Sequence, residues 1–423
     1  MKNALKLALC IVLIVLAFKP RAAAAQTGFT CTDDMEIPKV ECEALVALYN
    51  STNGAGWTNK TNWLTATMPW YGVTVTDGHV SWIFLDGNNL TGPLPVEIGN
   101  LTGLRVAYLD SNHLSGSVPV TLGNLVNLER LYLEDNQLTG AIPSELGNLT
   151  KLILLNLYNN QLSGPIPPQL SNMSSLWHLL LYSNQLTGTI PVEFGNFANL
   201  QSLGLHNNLL TGSIPAALGT VSTLQFLNLN NNYLTGSIPR TLGNLTNLFT
   251  LNLSNNLLSG GIPAELGSLN QLDNLWLNNN PLSGPLPLTL TGLTSLFSFH
   301  FSNTYLCEPT NTAFFTWKET VEIWDGTGTE CSGSFFKISG HIQDFQSNGV
   351  AEVELFIGPY LYSITDLQGY YSLWLPAGAH TLTPVKPPLS FTPAAKEIIL
   401  STADVVQDFS VDSFEIYLPL VQR

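Results

Sequence analysis

Aromatic and acidic side chains recur with a spacing of twenty-four residues between Trp82 and His206. They fall in three columns: Trp82, Arg130 and His178; Phe84, Tyr108 and Tyr132; Asp86, Asp110, Glu134, Tyr158, Tyr182 and His206. Clustered exposed rings beside carboxylates are typical of protein interfaces and sugar-binding surfaces. The pattern predicts a binding surface. The alternative is a ladder without a ligand, because tyrosine suits strands and repeat duplication copies residues.

Catalytic signatures are missing from the sequence. It contains no GxSxG, Walker, HExxH or GxGxxG motif. The seven histidines are scattered, and only His178, His206 and His300 are expected on the exposed strand face. We therefore predict a protein that is not an enzyme and that uses neither a cofactor nor a metal.

The residues that position these columns form the pattern LxxLxLxxNxLxGxIPxxLGxLxx, which repeats from Val80 to Ser295. A constant period of this length predicts a solenoid. Asparagine occupies the ninth place at Asn88, Asn112, Asn136, Asn160, Asn184, Asn208, Asn232, Asn256 and Asn280. Because its amide is both donor and acceptor, it can satisfy backbone groups in a tight turn, so we interpret these residues as structural.

Leucines at the fourth and sixth places, such as Leu131 and Leu133, alternate with other residues as a half-buried strand requires. We expect these leucines to point inward. The third, fifth, seventh and eighth places then form one continuous concave surface across the stacked repeats. The columns described above lie on that surface, mostly in its amino-terminal half.

The amino terminus has the composition of a secretory signal. Lys2 and Lys6 precede an apolar run from Ala8 to Phe18, and small residues follow at 22–25. We assign 1–25 as a signal peptide; a membrane anchor is the alternative, although the run is shorter than the ~20 residues that span a bilayer. The net charge of −15 argues against nucleic acid as a partner.

Four cysteines remain beyond that segment, as two local pairs at the two ends of the repeats. An even number in an exported chain indicates disulfides. Of three connectivities we favour Cys31–Cys42 with Cys307–Cys331, since each bond would fasten one end. Zinc binding is the alternative, but its preferred CxxC spacing is missing.

The segment Leu138-Thr139-Gly140-Ala141-Ile142-Pro143 carries the LTGxIP mark of the plant-type extracellular leucine-rich repeats, which the array at 80–303 closely resembles. The resemblance implies an α/β-type solenoid, a right-handed superhelix with a parallel concave sheet.

Residues 26–79, with Trp70-Tyr71-Gly72-Val73, resemble the N-terminal cap of such proteins, although Met68-Pro69 and Thr74-Val75 replace the usual flanking cysteines. Residues 304–332 resemble the cysteine-bearing C-terminal cap.

Beyond Ser334, seven short runs rich in β-branched and aromatic residues predict an all-β sandwich at 333–412. Segments such as Ser339-Gly340-His341-Ile342 and Leu375-Pro376-Ala377-Gly378 resemble the carboxypeptidase regulatory-like, or prealbumin-like, module, which implies a spacer or binding role. The tail at 413–423 resembles the ends of various exported bacterial proteins; a final strand is the alternative.

Together these features predict a secreted or surface-held recognition protein, monomeric, that binds a protein, peptide or polysaccharide on its concave face. The rival hypothesis is a structural or adhesive surface component that has no discrete ligand.

Overall fold

The computed structural model describes residues 29–411 apart from 34, 352, 359, 366 and 367. The predicted signal peptide and the tail at 413–423 lie outside these residues. Within the described part, no helix has the length and apolar composition needed to cross a bilayer.

Between residues 73 and 325, twelve strands form one long sheet, here called the inner sheet. Its first two strands are antiparallel, and the later neighbours are parallel. The strands are Val73–Thr76, His79–Phe84, Val106–Tyr108, Arg130–Tyr132, Leu154–Asn156, His178–Leu180, Ser202–Gly204, Phe226–Asn228, Thr250–Asn252, Asn274–Trp276, Ser298–His300 and Ile323–Asp325. The expected solenoid with its parallel sheet is confirmed.

Inward leucines and the ninth-place asparagines hold the inner strands together. Leu131 and Leu133 are buried in the core that runs through the repeats. Asn136 Nδ2 donates to the Leu133 carbonyl at 3.2 Å and to the Leu109 carbonyl of the preceding repeat at 3.1 Å. Its Oδ1 accepts from the Leu114 N–H at 2.9 Å. Each such amide therefore satisfies backbone groups in two neighbouring repeats, where water cannot reach.

A second parallel sheet, here called the flank sheet, was not predicted from the sequence. Gly140, the last residue of one of its strands, has a φ of 76°, a backbone conformation that favours glycine. The seven strands are Thr91–Pro93, His113–Ser117, Gln137–Gly140, Gln161–Pro165, Gln185–Gly188, Leu209–Ser213 and Tyr233–Thr235. Further along the solenoid, Ser283–Pro285 and Tyr305–Cys307 form a separate parallel pair.

Short 3-10 helices complete the repeats. Each begins after a proline in extended conformation, such as Pro143 with ψ of 132°, so the proline ends one element and opens the next. Between residues 96 and 292 these helices are Val96–Asn100, Val120–Asn124, Ser144–Asn148, Pro168–Asn172, Val192–Asn196, Ala216–Thr220, Arg240–Asn244, Ala264–Ser268 and Leu288–Gly292.

An α-helix at Lys39–Ser51 covers the first repeat. A disulfide joins Cys31 to Cys42 on this helix, with 5.9 Å between their Cα atoms. Glu41 is buried and accepts the Val80 N–H at 2.8 Å, which ties the helix to the first inner strand pair. A 3-10 turn at Gly54–Gly56 follows, and three tryptophans pack beneath it as core: Trp57, Trp63 and Trp70.

The opposite end is closed by the α-helix Thr312–Lys318 and by the disulfide Cys307–Cys331, whose Cα atoms are 5.0 Å apart. Both expected disulfides are thus present. Glu308 is buried beside them and accepts hydrogen bonds from Lys318 Nζ at 2.5 Å and Trp324 Nε1 at 3.0 Å. These contacts cover the last inner strand, which would otherwise leave an open sheet edge.

The described part of residues 335–411 forms two mainly antiparallel sheets around a separate apolar core. One sheet contains Phe335–Gln343, Tyr370–Pro376, Phe391–Thr392, Val405–Val406 and Phe409–Val411; the other contains Glu354–Ile357, Tyr360–Ile364, Gly378–Val385 and Lys396–Leu400. The predicted β-sandwich is confirmed as a strand-rich β domain. The described part of the domain contains nine strands, two more than the seven runs predicted from the sequence.

The sandwich packs directly on the flank of the late repeats. The Trp374 N–H donates to Ser283 Oγ at 3.0 Å, and the hydroxyl oxygens of Ser259 and Ser363 lie 2.9 Å apart. A Cβ placed on Gly261 would lie 2.7 Å from Trp374 Nε1, so glycine is needed for this close approach. The sandwich is therefore in direct contact with the repeats.

Candidate binding surface on the inner sheet

The fifth-place aromatic residues form a continuous stack across adjacent inner strands. The parallel register pairs Phe84 with Tyr108 and Tyr108 with Tyr132. Their ring centroids lie 5.2 and 4.3 Å apart, with nearly parallel planes. Trp82, 41% exposed, packs edge-on against Phe84 at 5.4 Å. We call Trp82, Phe84, Tyr108 and Tyr132 the first stack; it presents a broad apolar surface.

A second stack occupies the seventh place of the next three repeats. Tyr158 and Tyr182 lie 4.3 Å apart, and Tyr182 and His206 lie 4.2 Å apart, again with nearly parallel planes. All three side chains are partly buried. The period of the backbone spaces the rings at van der Waals contact, so the stacking follows directly from the repeat.

The aromatic column changes from the fifth to the seventh place between Tyr132 and Tyr158. Glu134 and Asn156 fill the two places left without rings, and Asn156 pairs with Tyr132 in the strand register. Glu134 is only 8% exposed and Asn156 only 5%. Together with Asp110, one repeat earlier, these two residues define what we call the junction.

Oxygen atoms at the junction lack donors. Glu134 Oε2, Asn156 Oδ1 and Asp110 Oδ1 are buried and have no hydrogen-bond partner among the residues that the structure describes. A buried polar atom without a partner costs about 1–3 kcal/mol and calls for an explanation. All three atoms are acceptors, so whatever satisfies them is a donor.

The junction carboxyls have raised pKa values. Burial, supported by the charges of Asp110 and Asp135, raises the pKa of Glu134 to about 7. Burial also raises the pKa of Asp110, although a hydrogen bond from Ser111 opposes this. Desolvation disfavours the ionised form, and nearby negative charges add to the effect. A positive charge beside the junction would therefore stabilise the ionised forms of Glu134 and Asp110.

The stacked rings themselves carry no charge near neutral pH. Burial raises the pKa of Tyr132 to about 12 and also raises the pKa values of Tyr158 and Tyr182. Burial lowers the pKa values of His178 and His206, which favours their neutral forms. The stacks thus offer neutral ring faces on either side of an acidic junction.

The remaining residues predicted for the binding surface lie around the junction. Arg130 is exposed at the third place, and its charge partly offsets the rise that burial causes in the pKa of Tyr132. Asp86 is exposed where the first stack begins. His178 is half-buried and pairs with Leu154 on the neighbouring strand. The structure thus places every predicted residue on the inner sheet or in the turn after its strand, but only some of them meet at the junction.

Sequence reasoning missed Asn156 and Asp135 as members of this surface. Asn156 is the first fifth-place residue after three aromatic ones, and that break in the column was the available signal. Asp135 Oδ1 accepts from Asn159 Nδ2 at 2.5 Å, and its charge acts on Glu134. Exposed Trp177, at the second place, also borders the sheet.

The carboxyl-terminal half of the inner sheet satisfies its own polar groups. Asn252 Oδ1 accepts from the Ser254 hydroxyl at 2.8 Å. Trp276 Nε1 donates to Ser298 Oγ at 3.0 Å. The unpartnered acceptors that distinguish the junction are found among the earlier repeats, where the two stacks lie.

Comparison with known proteins agrees with the repeat architecture. Residues 127–149, 151–173 and 175–197 match the family model described as Leucine Rich Repeat, and 198–258 match one described as Leucine rich repeat. The ectodomain of the Arabidopsis thaliana receptor kinase GASSHO1/SCHENGEN3 is 41% identical over 59% of this chain, with a TM-score of 0.57. The repeat region therefore contains leucine-rich repeats and is similar to the ectodomain of a plant receptor kinase.

Two further solved structures are similar to this chain. The ectodomain of the Arabidopsis receptor kinase HAESA, in complex with an N-terminal extended IDA peptide hormone ligand, is 31% identical over 63% of the chain, with a TM-score of 0.54. A plant ice-binding protein is 27% identical over 71% of the chain, with a TM-score of 0.59, and is matched over its full length. The chain spans only 30% of the GASSHO1/SCHENGEN3 structure and 47% of the HAESA structure. A comparison with curated proteins found no match.

Proposed function

We propose that this leucine-rich repeat protein is an extracellular recognition protein that binds a peptide, or an extended segment of a protein, along the first half of the inner sheet. The observation that carries the proposal is the pair of aromatic stacks flanking buried, unpartnered acceptors. Rings supply contact area, and unsatisfied polar groups supply specificity. The peptide-hormone complex of HAESA supports a peptide rather than a polysaccharide, which is the other ligand that exposed rings suit.

Export and surface retention form part of the same proposal. Two disulfides suit an oxidising compartment. We further propose that the sandwich belongs to the carboxypeptidase regulatory-like type and serves as a fixed second surface beside the repeats. Removal of 413–423 tests retention: release of the protein from the cell envelope into the medium supports an anchoring tail, and unchanged retention contradicts it.

The binding proposal is tested with a peptide array incubated with the full chain, followed by dissociation constants for the strongest peptides. Combined replacement of Tyr108, Tyr132 and Tyr158 by alanine should weaken binding at least a hundredfold, since truncation of central aromatic residues costs about 2 kcal/mol or more each. A matched double variant at Tyr71 and Tyr233, which are exposed but lie outside the inner sheet, should bind as the parent does. Equal binding by all three proteins would contradict the proposal.

A second candidate function is binding to ice, which the likeness to a plant ice-binding protein and one surface column favour. Exposed eighth-place asparagines are linked along the solenoid: Asn231 Nδ2 donates to Asn207 Oδ1 at 2.6 Å, and Asn279 Nδ2 donates to Asn255 Oδ1 at 2.7 Å. Such a regular polar row could match an ordered water surface. Thermal hysteresis in a solution of the parent protein would support this function if Asn231→Leu abolishes it. A parent protein that shows no more thermal hysteresis than albumin would exclude it.

A further inference from the structure

The unpartnered buried oxygens of the junction are all acceptors, and this restricts what can bind there. We propose that the junction formed by Asp110, Glu134 and Asn156 receives the cationic side chain, guanidinium or ammonium, of a basic residue in the bound peptide. The inference rests on the proposed function, because it names the chemistry of a ligand on the same surface.

The three unpartnered oxygens come from three successive repeats. Neighbouring strands of a sheet lie about 4.8 Å apart, so the oxygens span roughly 10 Å across the inner sheet. A guanidinium carries five N–H donors in a planar fork, and an ammonium carries three. Either group can satisfy Glu134 Oε2 together with Asp110 Oδ1 or Asn156 Oδ1. A neutral donor would leave the carboxyl charges uncompensated.

The walls of the junction also suit a cation. Tyr132 ends the first stack and Tyr158 begins the second, and each is coupled electrostatically to Glu134. Both phenols are neutral near pH 7, and burial raises their pKa values further. A cation held near a tyrosine ring gains about 0.5–2 kcal/mol, and more when it is removed from water. Aromatic rings and carboxylates therefore act together on the same group.

Other ligand classes fit less well. A sugar hydroxyl both donates and accepts, whereas the unpartnered atoms of the junction, two carboxyl oxygens and one amide oxygen, are all acceptors. Among the described residues, no three His, Cys, Asp or Glu side chains lie close enough to hold a metal ion. The chain's net charge of −15 also favours basic partners. The observations thus favour an organic cation.

Proton exchange accompanies this binding. The titratable groups that interact with Glu134 are Asp110 on the preceding repeat, Asp135 and Tyr132 on its own repeat, Tyr158 on the next and Tyr182 on the one after that. Burial raises the pKa of Glu134 to about 7, so neutral solution contains both of its forms. Only the ionised form attracts a cation. Affinity should therefore fall as the pH drops from 8 to 6.

The test uses the full chain and four nine-residue peptides that are identical except for a central arginine, lysine, citrulline or glutamate. The other eight residues are those of the peptide that binds most tightly in the array. Arginine and lysine peptides should bind at least about tenfold more tightly than the citrulline peptide at pH 8, as expected for charge-assisted bonds. Glu134→Gln should remove this preference, whereas Glu145→Gln, on an exposed 3-10 helix, should keep it.

Retention of the preference in Glu134→Gln, with a melting temperature no lower than that of the parent, would overturn the cationic assignment. The tyrosine triple variant separates the two proposals. If that variant loses peptide binding while citrulline and arginine peptides bind the parent equally, the recognition function stands and the cationic site fails. If the triple variant binds as the parent does, both fail. Competition by calcium chloride at constant ionic strength, without competition by agmatine, would also overturn the assignment.

Discussion

Glu134 should make the protein less stable in alkaline solution than in acid, and Glu134→Gln should remove that penalty. Burial raises the pKa of this carboxyl from the usual 4.5 to about 7. Between these two values the folded chain holds a proton that the unfolded chain has released, so stability falls as the pH rises through this window. Each pKa unit corresponds to 1.36 kcal/mol, which gives a penalty of about 3 kcal/mol above pH 7.

Urea unfolding followed by tryptophan fluorescence measures this effect at pH 4, 6 and 8. The free energy of unfolding of Glu134→Gln should match the parent at pH 4 and exceed it by about 3 kcal/mol at pH 8. Carboxyls that do not interact with Glu134 titrate equally in both proteins, so they cancel in the difference. Glu145→Gln, at an exposed site, should show no such divergence. A difference that stays constant with pH, or a glutamine variant less stable at pH 8, would refute the reasoning.

Three further variants test other parts of the structure. Asn184→Ala removes an amide that bonds backbone groups in two repeats, and should lower the urea-unfolding free energy by about 2–4 kcal/mol; a loss below 0.5 kcal/mol would contradict its structural role. Gly261→Val should displace Trp374 and increase hydrogen exchange across the sandwich interface while leaving the repeats protected; unchanged exchange would contradict direct packing. Replacement of Cys307 and Cys331 by serine should cost about 3 kcal/mol, measured by the same urea titration, and an unaltered midpoint would contradict it.

Much of the fold followed from periodicity, because a period of twenty-four residues fixes how the chain returns to the same place. The inward leucines and the ninth-place asparagines could be assigned from a single repeat, since every copy makes the same contacts. The flank sheet could not be predicted from a single repeat. Its strands, such as Gln137–Gly140, contain a glycine and polar residues, and they pair only because neighbouring repeats hold them in register.

The sequence predicted which residues of the binding surface lie in the same column. It did not predict that Asp110, Glu134 and Asn156 form a junction between the two stacks. The spacing indicated which rings share a face, and the structure shows Tyr108 with Tyr132, and Tyr158 with Tyr182, in stacking contact. Glu134 interacts with Asp110 of the preceding repeat and with Tyr158 of the next, so no single repeat reveals its environment. The packing of the sandwich was likewise hidden, because it depends on residues such as Gly261 and Trp374 that meet only in the folded chain.

The most direct test of the account places a photoactivatable benzoylphenylalanine at position 132 and, in a matched protein, at position 233. Tyr132 ends the first stack beside the junction, whereas Tyr233 is 53% exposed on the flank sheet. Irradiation with an array-selected peptide should crosslink the peptide to position 132 and not to position 233. Crosslinking at position 233 alone would contradict the claim that the first half of the inner sheet is the binding surface.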